Sequence, residues 1–189
     1  MRILLSIFIL IFNFQSLSKA NDIKNFEIEG MSIGESALNF FSKKQIDNGL
    51  LAKYNDNTYT TVEPANQKSN QYDYVSFSFK SDDNDFKMVA ISGVKKFKNS
   101  INDCHNLQDQ IFDDIKELFP GAEVTNAITH DMQGQDPGST RQTFVELVGI
   151  GFAAVQCYDY DKSVNRDDIM RVQLIKSEYN DWLINKAFK

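Results

Sequence analysis

The chain is poor in the residues that most chemistry needs. Its 189 residues include two cysteines, two histidines, four arginines, three prolines and one tryptophan. Two Cys and two His cannot build a Cys/His zinc module of the usual spacing. Acidic residues outnumber basic ones 26 to 20, a net charge of −6, so the basic stripe of a general nucleic-acid binder is missing. No C-x-x-C occurs, and beyond residue 20 no apolar run approaches the roughly 20 residues that span a bilayer. The composition, 42% hydrophobic and 24% charged, is that of neither a disordered nor a disulfide-dense chain.

What stands first is an address. Met1-Arg2 supplies one positive charge, 3–14 is apolar apart from Ser6 and Asn13, and Ser18 and Ala20 precede Asn21 at the −3 and −1 positions. A short n-region, an apolar h-region and an S-x-A end mark 1–20 as a secretory signal peptide, its apolar run too short to span. The mature chain, 21–189, is then expected to be a single domain. Losing Arg2 and Lys19 leaves 18 basic against 26 acidic residues, a charge of −8, which disfavours nucleic acid and acidic lipid. Sixteen Lys to four Arg, with 17 Asn and 17 Ile, is the bias of AT-rich codons, and a bacterial periplasm is the expected compartment. There Cys104 and Cys157 are expected to form one structural disulfide.

Periodicity supplies the elements. Residues 23–29 read as a short strand. Ser32 with Glu35 three residues on reads as a capping box, opening a helix over 33–46 that buries Ile33, Ala37, Leu38 and Phe41. Residues 47–71 form a polar loop with one weak strand at 58–62. It holds an irregular edge strand or a functional surface loop. The runs 72–80 and 86–97 make a hairpin. Cys104, Leu107, Ile111, Ile115 and Leu118 form one apolar helical stripe, stopped by Pro120-Gly121.

A strand at 122–129 and a loop at 133–139 follow. Residues 143–158 read as one long strand whose odd positions, Val145, Leu147, Gly149, Gly151, Ala153, Val155 and Cys157, face that helix, with the glycines marking close approach. A polar turn at 159–168, a last strand at 169–176 and a helix capped by Ser177 that buries Trp182, Leu183 and Phe188 complete the chain. Strands in neighbouring runs predict an α+β class, a largely antiparallel sheet with two or three helices packed on one face and one disulfide.

Four motifs invite function. Gly30-Met31-Ser32-Ile33-Gly34 matches the G-x-S-x-G nucleophile elbow, which would make Ser32 the nucleophile of a small serine hydrolase. The later chain lacks the βαβ alternation of that fold, its only bases are His105 and His130, and helix capping accounts for Ser32 and Glu35 without chemistry. Gly149-Ile150-Gly151-Phe152-Ala153-Ala154 matches the dinucleotide fingerprint, but β-like sequence continues where a helix is required. Asp82, Asn84 and Asp85, and the alternating Asp159, Asp161, Ser163, Asn165 and Asp167, lack the distal glutamate of a calcium loop, Met170 standing in its place. Asp109, Asp113 and Glu117 make a solvated helix face. No cofactor and no metal is expected.

The run Ile28-Glu29-Gly30-Met31-Ser32-Ile33-Gly34-Glu35-Ser36 resembles the opening of a family of small exported bacterial proteins without assigned activity, in which I-E-G-M-S-I-G-[DE]-S follows the signal peptide. The resemblance implies export and no catalytic residue. More loosely, a glycine-led step followed by antiparallel strands is similar to small envelope modules of the BamE or beta-lactamase-inhibitor-protein type, which bind proteins. The expectation is a non-enzymatic binding or cell-envelope accessory module whose partner is a protein or small-molecule ligand. The alternative is the Ser32 hydrolase.

Overall fold

A computed structural model describes residues 26–189 apart from 53, 99, 133–135 and 148–150. The predicted signal peptide, Gly149 and residues 23–25 of the first predicted strand therefore lie outside the described residues, and the rest of that strand is replaced by a tight turn with one bridge, Ile28 to Met31. The elements are α1 (Lys43–Asp47), β1 (Leu50–Leu51), β2 (Tyr59–Glu63), β3 (Tyr74–Lys80), β4 (Ala90–Phe97), α2 (Ile101–Leu118), β5 (Glu123–Asp131), β6 (Gly138–Leu147), β7 (Gly151–Tyr160), β8 (Asp168–Lys176) and α3 (Ser177–Asn185), with short 3₁₀ turns at Ala37–Asn39 and Lys162–Val164. All eight strands join one sheet in the order β1-β2-β3-β4-β8-β7-β6-β5, and every pairing is antiparallel. The chain lays down two four-strand meanders, and α2 carries it from one to the other. The last strands of the two meanders meet at the centre, from Ala90 opposite Ile175 to Phe97 opposite Asp168.

Period-two alternation divides the sheet into two unlike faces. One carries Val62, Val75, Phe77, Ile91, Val145, Val155, Met170, Val172 and Leu174, all buried with Ile46 of α1 and Cys104, Phe112 and Ile115 of α2. A disulfide joins Cys104 in the first turn of α2 to Cys157 on β7, with Cα atoms 6.0 Å apart. The opposite face carries Ser78, Ala90, Ser92, Gln173 and Ile175, and only α3 packs on it, through Tyr179 and Trp182. The class is α+β as the strand runs predict, with α1 and α2 on one face. Among the described residues no helix is long and apolar enough to cross a membrane.

Several expected elements differ, each for a local reason. The helix over 33–46 is replaced by a turn, the 3₁₀ turn and the five-residue α1. Gly34 takes a positive φ of 91°, and the backbone around it pairs with 86–88 instead: Gly34 N–H donates to Met88 O, Met88 N–H to Glu35 O and Ala37 N–H to Phe86 O. Leu38 is consequently exposed. The box that caps a helix here is Ser42 with Gln45, at the start of α1. The polar stretch 47–71 contains both β1 and β2.

The long strand over 143–158 is two strands, β6 and β7, paired from Gly138 opposite Tyr160 to Leu147 opposite Gly151. Opposed residues in this hairpin share parity, so the odd positions still occupy one buried face. A Cβ at Gly151 would collide with the Ile175 carbonyl oxygen of β8, so the predicted close approach is to a strand and not to the helix. The buried stripe of α2 is Cys104, Gln108, Phe112 and Ile115, one position round from the predicted stripe, and Leu118 is 55% exposed. Gln108 is accepted in the core because its amide is saturated, donating to Arg141 O at 2.9 Å and Val155 O at 2.8 Å and accepting from the Arg141 guanidinium. The N-cap of α3 is Lys176, without a side-chain cap, and Phe188 is exposed.

The disulfide closes a separation of 53 residues, which the loop-entropy argument makes worth about 4 kcal/mol. A Cys104→Ala/Cys157→Ala variant is expected to lose about 4 kcal/mol of unfolding free energy, read as a markedly lower urea midpoint. An unchanged midpoint would show that packing alone holds α2.

Candidate functional site

Strand parity gathers the aromatic polar residues on the face away from α2. Tyr59, Tyr74, Tyr158 and Tyr160 point there from β2, β3 and β7, and Tyr54 and Tyr179 join them at α3. Only Tyr72, of the seven tyrosines, packs into the opposite core, where a Cβ on Gly93 would strike its ring.

The C-terminal helix docks over one end of this face through polar links. Thr61 Oγ1 shares hydrogen bonds with the hydroxyls of Tyr54 and Tyr179, each at 2.9 Å, and of Ser78 at 2.7 Å. Burial pushes the Tyr54 phenol above its ordinary range, and Thr61 lowers it in part. Trp182 Nε1 donates to Asp56 Oδ1 at 2.8 Å, and Asn55 N–H donates to Ala187 O at 2.7 Å. Hydrogen bonds from Thr58 and from Trp182 hold the Asp56 carboxyl below its ordinary value of 3.8.

Beyond α3, two of the openings on this face flank a polar ladder. A groove of about 450 Å³ runs between α3 and strands β5 to β8, walled by Phe144, Phe152, Ile175, Leu183 and Ile184, with Gln156 and Gln173 on its floor and Glu123 and Glu146 at its rim. The second opening, about 340 Å³, is bounded by Tyr74, Lys96, Tyr160 and Arg166. Between them lies a polar ladder. The Tyr158 hydroxyl donates to Gln156 Oε1 at 2.9 Å, Gln156 Nε2 to Gln142 Oε1 at 3.1 Å, and the Arg171 guanidinium lies 5.3 Å from the centre of the Tyr158 ring. Strong burial raises the Tyr158 phenol despite the Arg171 charge.

The residues singled out by motif are elsewhere. Ser32 is only 5% exposed and follows a tight turn in which Ile28 and Met31 exchange backbone hydrogen bonds of 3.1 and 3.0 Å. Its N–H donates to Glu35 Oε2 at 3.0 Å, one half of the predicted capping box, but the α-helix that box would open is not formed. No strand-to-helix elbow presents Ser32. Its neighbours in the run serve the fold. Ile28, Met31 and Ile33 are core residues, and Gly30 supplies a φ of +77°. The Glu29 carboxylate accepts from the Ser69 hydroxyl and the Gln71 N–H, both at 2.6 Å, and from Asn70 N–H at 3.0 Å. Burial opposes its ionisation, but these bonds together hold Glu29 below 4.5.

His105 lies in α2, where burial and then the Arg141 charge depress its pKa. His130 is exposed on β5. The acids Asp109 and Asp113 pair with Arg141 at 2.7 Å and Lys116 at 2.6 Å. Asp161 caps the short 3₁₀ turn by accepting from Ser163 N–H. Among the described residues no group of three or more His, Cys, Asp or Glu side chains is placed to hold a metal. Gly149 and Ile150 of the dinucleotide-like motif lie outside the described residues, while Phe152 from the same run walls the groove. Comparison of the chain with protein-family models, with curated proteins and with solved structures finds no match.

Trp182 is the only tryptophan, so its emission reports the docking of α3. Because the folded Asp56 carboxyl ionises below 3.8, its bond to the indole contributes above that pH and is lost only as pH falls through the folded value. Emission is expected to hold steady down to about pH 4 and to shift red below it, whereas Asp56→Ala shifts it red already at pH 7. A transition near pH 6 in the unsubstituted chain would assign the effect to another group.

Proposed function

We propose that the protein is an exported, non-enzymatic binding module of the bacterial cell envelope whose recognition surface is the sheet face shared with α3. The observation that carries this reading is the groove of about 450 Å³ walled by four strands and α3. Its size falls within the range of ligand pockets, about 300–1,000 Å³. The opposite face of the same sheet is closed by α2 and its disulfide. Tyrosines concentrate on the open face, and tyrosine is enriched at recognition surfaces because a stiff ring supplies contact area and a hydroxyl supplies a bond.

Export is supported by the signal-like pattern of 1–20 and by the disulfide, which persists in oxidising compartments. The resemblance of the I-E-G-M-S-I-G-E-S run to exported bacterial proteins points the same way. The partner is a protein or small-molecule ligand of the envelope. The Ser32 hydrolase gains no support from a serine buried in a turn.

Two measurements test this reading. The chain expressed in a bacterium is expected in the periplasmic fraction with Asn21 as its first residue. A fluorophosphonate probe is expected to leave the purified protein unlabelled. Labelling that disappears in Ser32→Ala would overturn the binding-module reading.

A further inference from the structure

We infer that the groove beside α3 receives a polypeptide segment combining apolar side chains with at least one lysine or arginine, a partner class that rests on the binding-module reading. Glu123 and Glu146 stand directly opposite each other on β5 and β6. Like charges in that position destabilise an antiparallel pair. Both carboxylates are exposed at the rim of the groove, whose lining contains no Lys, Arg or His.

Neither glutamate makes an ion pair or a side-chain hydrogen bond among the described residues. The contrast with Glu29, Asp56 and Asp109 is plain, since each of those has a partner within the fold. A cation seated between Glu123 and Glu146 turns one repulsion into two attractions. Below the rim the walls are apolar, and Ile184 stands 67% exposed. The ligand therefore needs an apolar body as well as a positive group.

A polypeptide fits better than a small amine because β5 borders the groove. Among the described residues no strand pairs with its outer edge, which carries neither Lys nor Pro, although its register shifts between Thr125 and Ile128. Such an edge offers backbone donors and acceptors to an extended chain. A second copy of this chain, at a charge of −8 over 21–189, and an anionic lipid surface are both disfavoured by like charge.

The test uses three labelled hexapeptides that alternate Leu with Lys, Ser or Glu, titrated into the purified protein by fluorescence anisotropy. The Lys peptide is expected to bind saturably, the Ser peptide about tenfold more weakly, and the Glu peptide not at all. The variant Glu123→Gln/Glu146→Gln is expected to lower affinity for the Lys peptide to that of the Ser peptide. It should also raise Tm by about 1–3 °C, because the repulsion is relieved. Ile184→Ser, at an exposed position, weakens the Lys and Ser peptides alike.

Equal binding of the Lys and Ser peptides, or full affinity in the double variant, overturns the cationic assignment; the groove reading survives if Ile184→Ser still weakens binding. Absence of saturable binding by any peptide overturns the polypeptide assignment, while the broader reading stands or falls on the Ser32 probe. A concentration-dependent dimer in sedimentation, lost in Ile184→Lys, would give the groove to a second copy and overturn the inference.

Discussion

The fold turns on the pairing of β4 with β8. Each is the last strand of its own meander, and among the described residues their eight-residue register is the only strand pairing that joins the two halves of the sheet. A slip of one residue there would exchange the faces of one entire half, putting Ile91 against the wrong side of Leu174. Side chains on both sides resist it. Gln173 Nε2 donates across the seam to Ser92 Oγ at 2.9 Å, and Gly93 leaves room for the Tyr72 ring. The two longer helices that cover the sheet leave from this seam, α2 soon after β4 and α3 directly from β8. Its register therefore decides where each helix lands.

The two landings differ in kind. α2 is committed covalently through Cys104 and Cys157 and by a buried amide, Gln108, bonded to the backbone of β6 and β7. Buried polar groups are tolerable only when satisfied, and among the described residues no buried side-chain nitrogen or oxygen lacks a partner. α3 is held by aromatic contact, by hydroxyls and by the bond from Trp182 to Asp56. It covers the sheet only over its middle strands. Phe144 and Phe152 on the same face are thus left half-buried, and the groove follows from a helix too short to cover them.

Much of this was legible in the sequence, and the failures share a cause. The β3–β4 pairing, β8, α2 and the disulfide follow from local periodicity and from the redox compartment that the first twenty residues imply. The β6–β7 reversal was hidden because apolar residues run through it without Pro, Asn or Asp. Its face assignment was nevertheless right, because the opposed residues share parity. The one-position rotation of α2 depends on Gln108, a polar side chain that can enter the core only because β6 and β7 bring carbonyls to its amide. Over 33–46 a good helical pattern lost to backbone pairing with 86–88, a tertiary contact that propensity does not see. The groove could not be foreseen for the same reason: its walls come from β5, β6, β7, β8 and α3, which only the topology brings together.

The two edges of the sheet finally separate scaffold from site. At one edge β1 is two residues long, a short strand of the kind that blunts unwanted pairing. Near that half of the sheet the I-E-G-M-S-I-G-E-S run spends its residues on core, turn and the Glu29 clamp to 69–71, so the most motif-like segment is structural. At the other edge β5 is nine residues long and exposed throughout, and it carries one member of a repelling carboxylate pair. This repulsion lies beside an open apolar groove. Local rules are most often broken where function sits, and the opposed pair Glu123 and Glu146 breaks one at the rim of the groove.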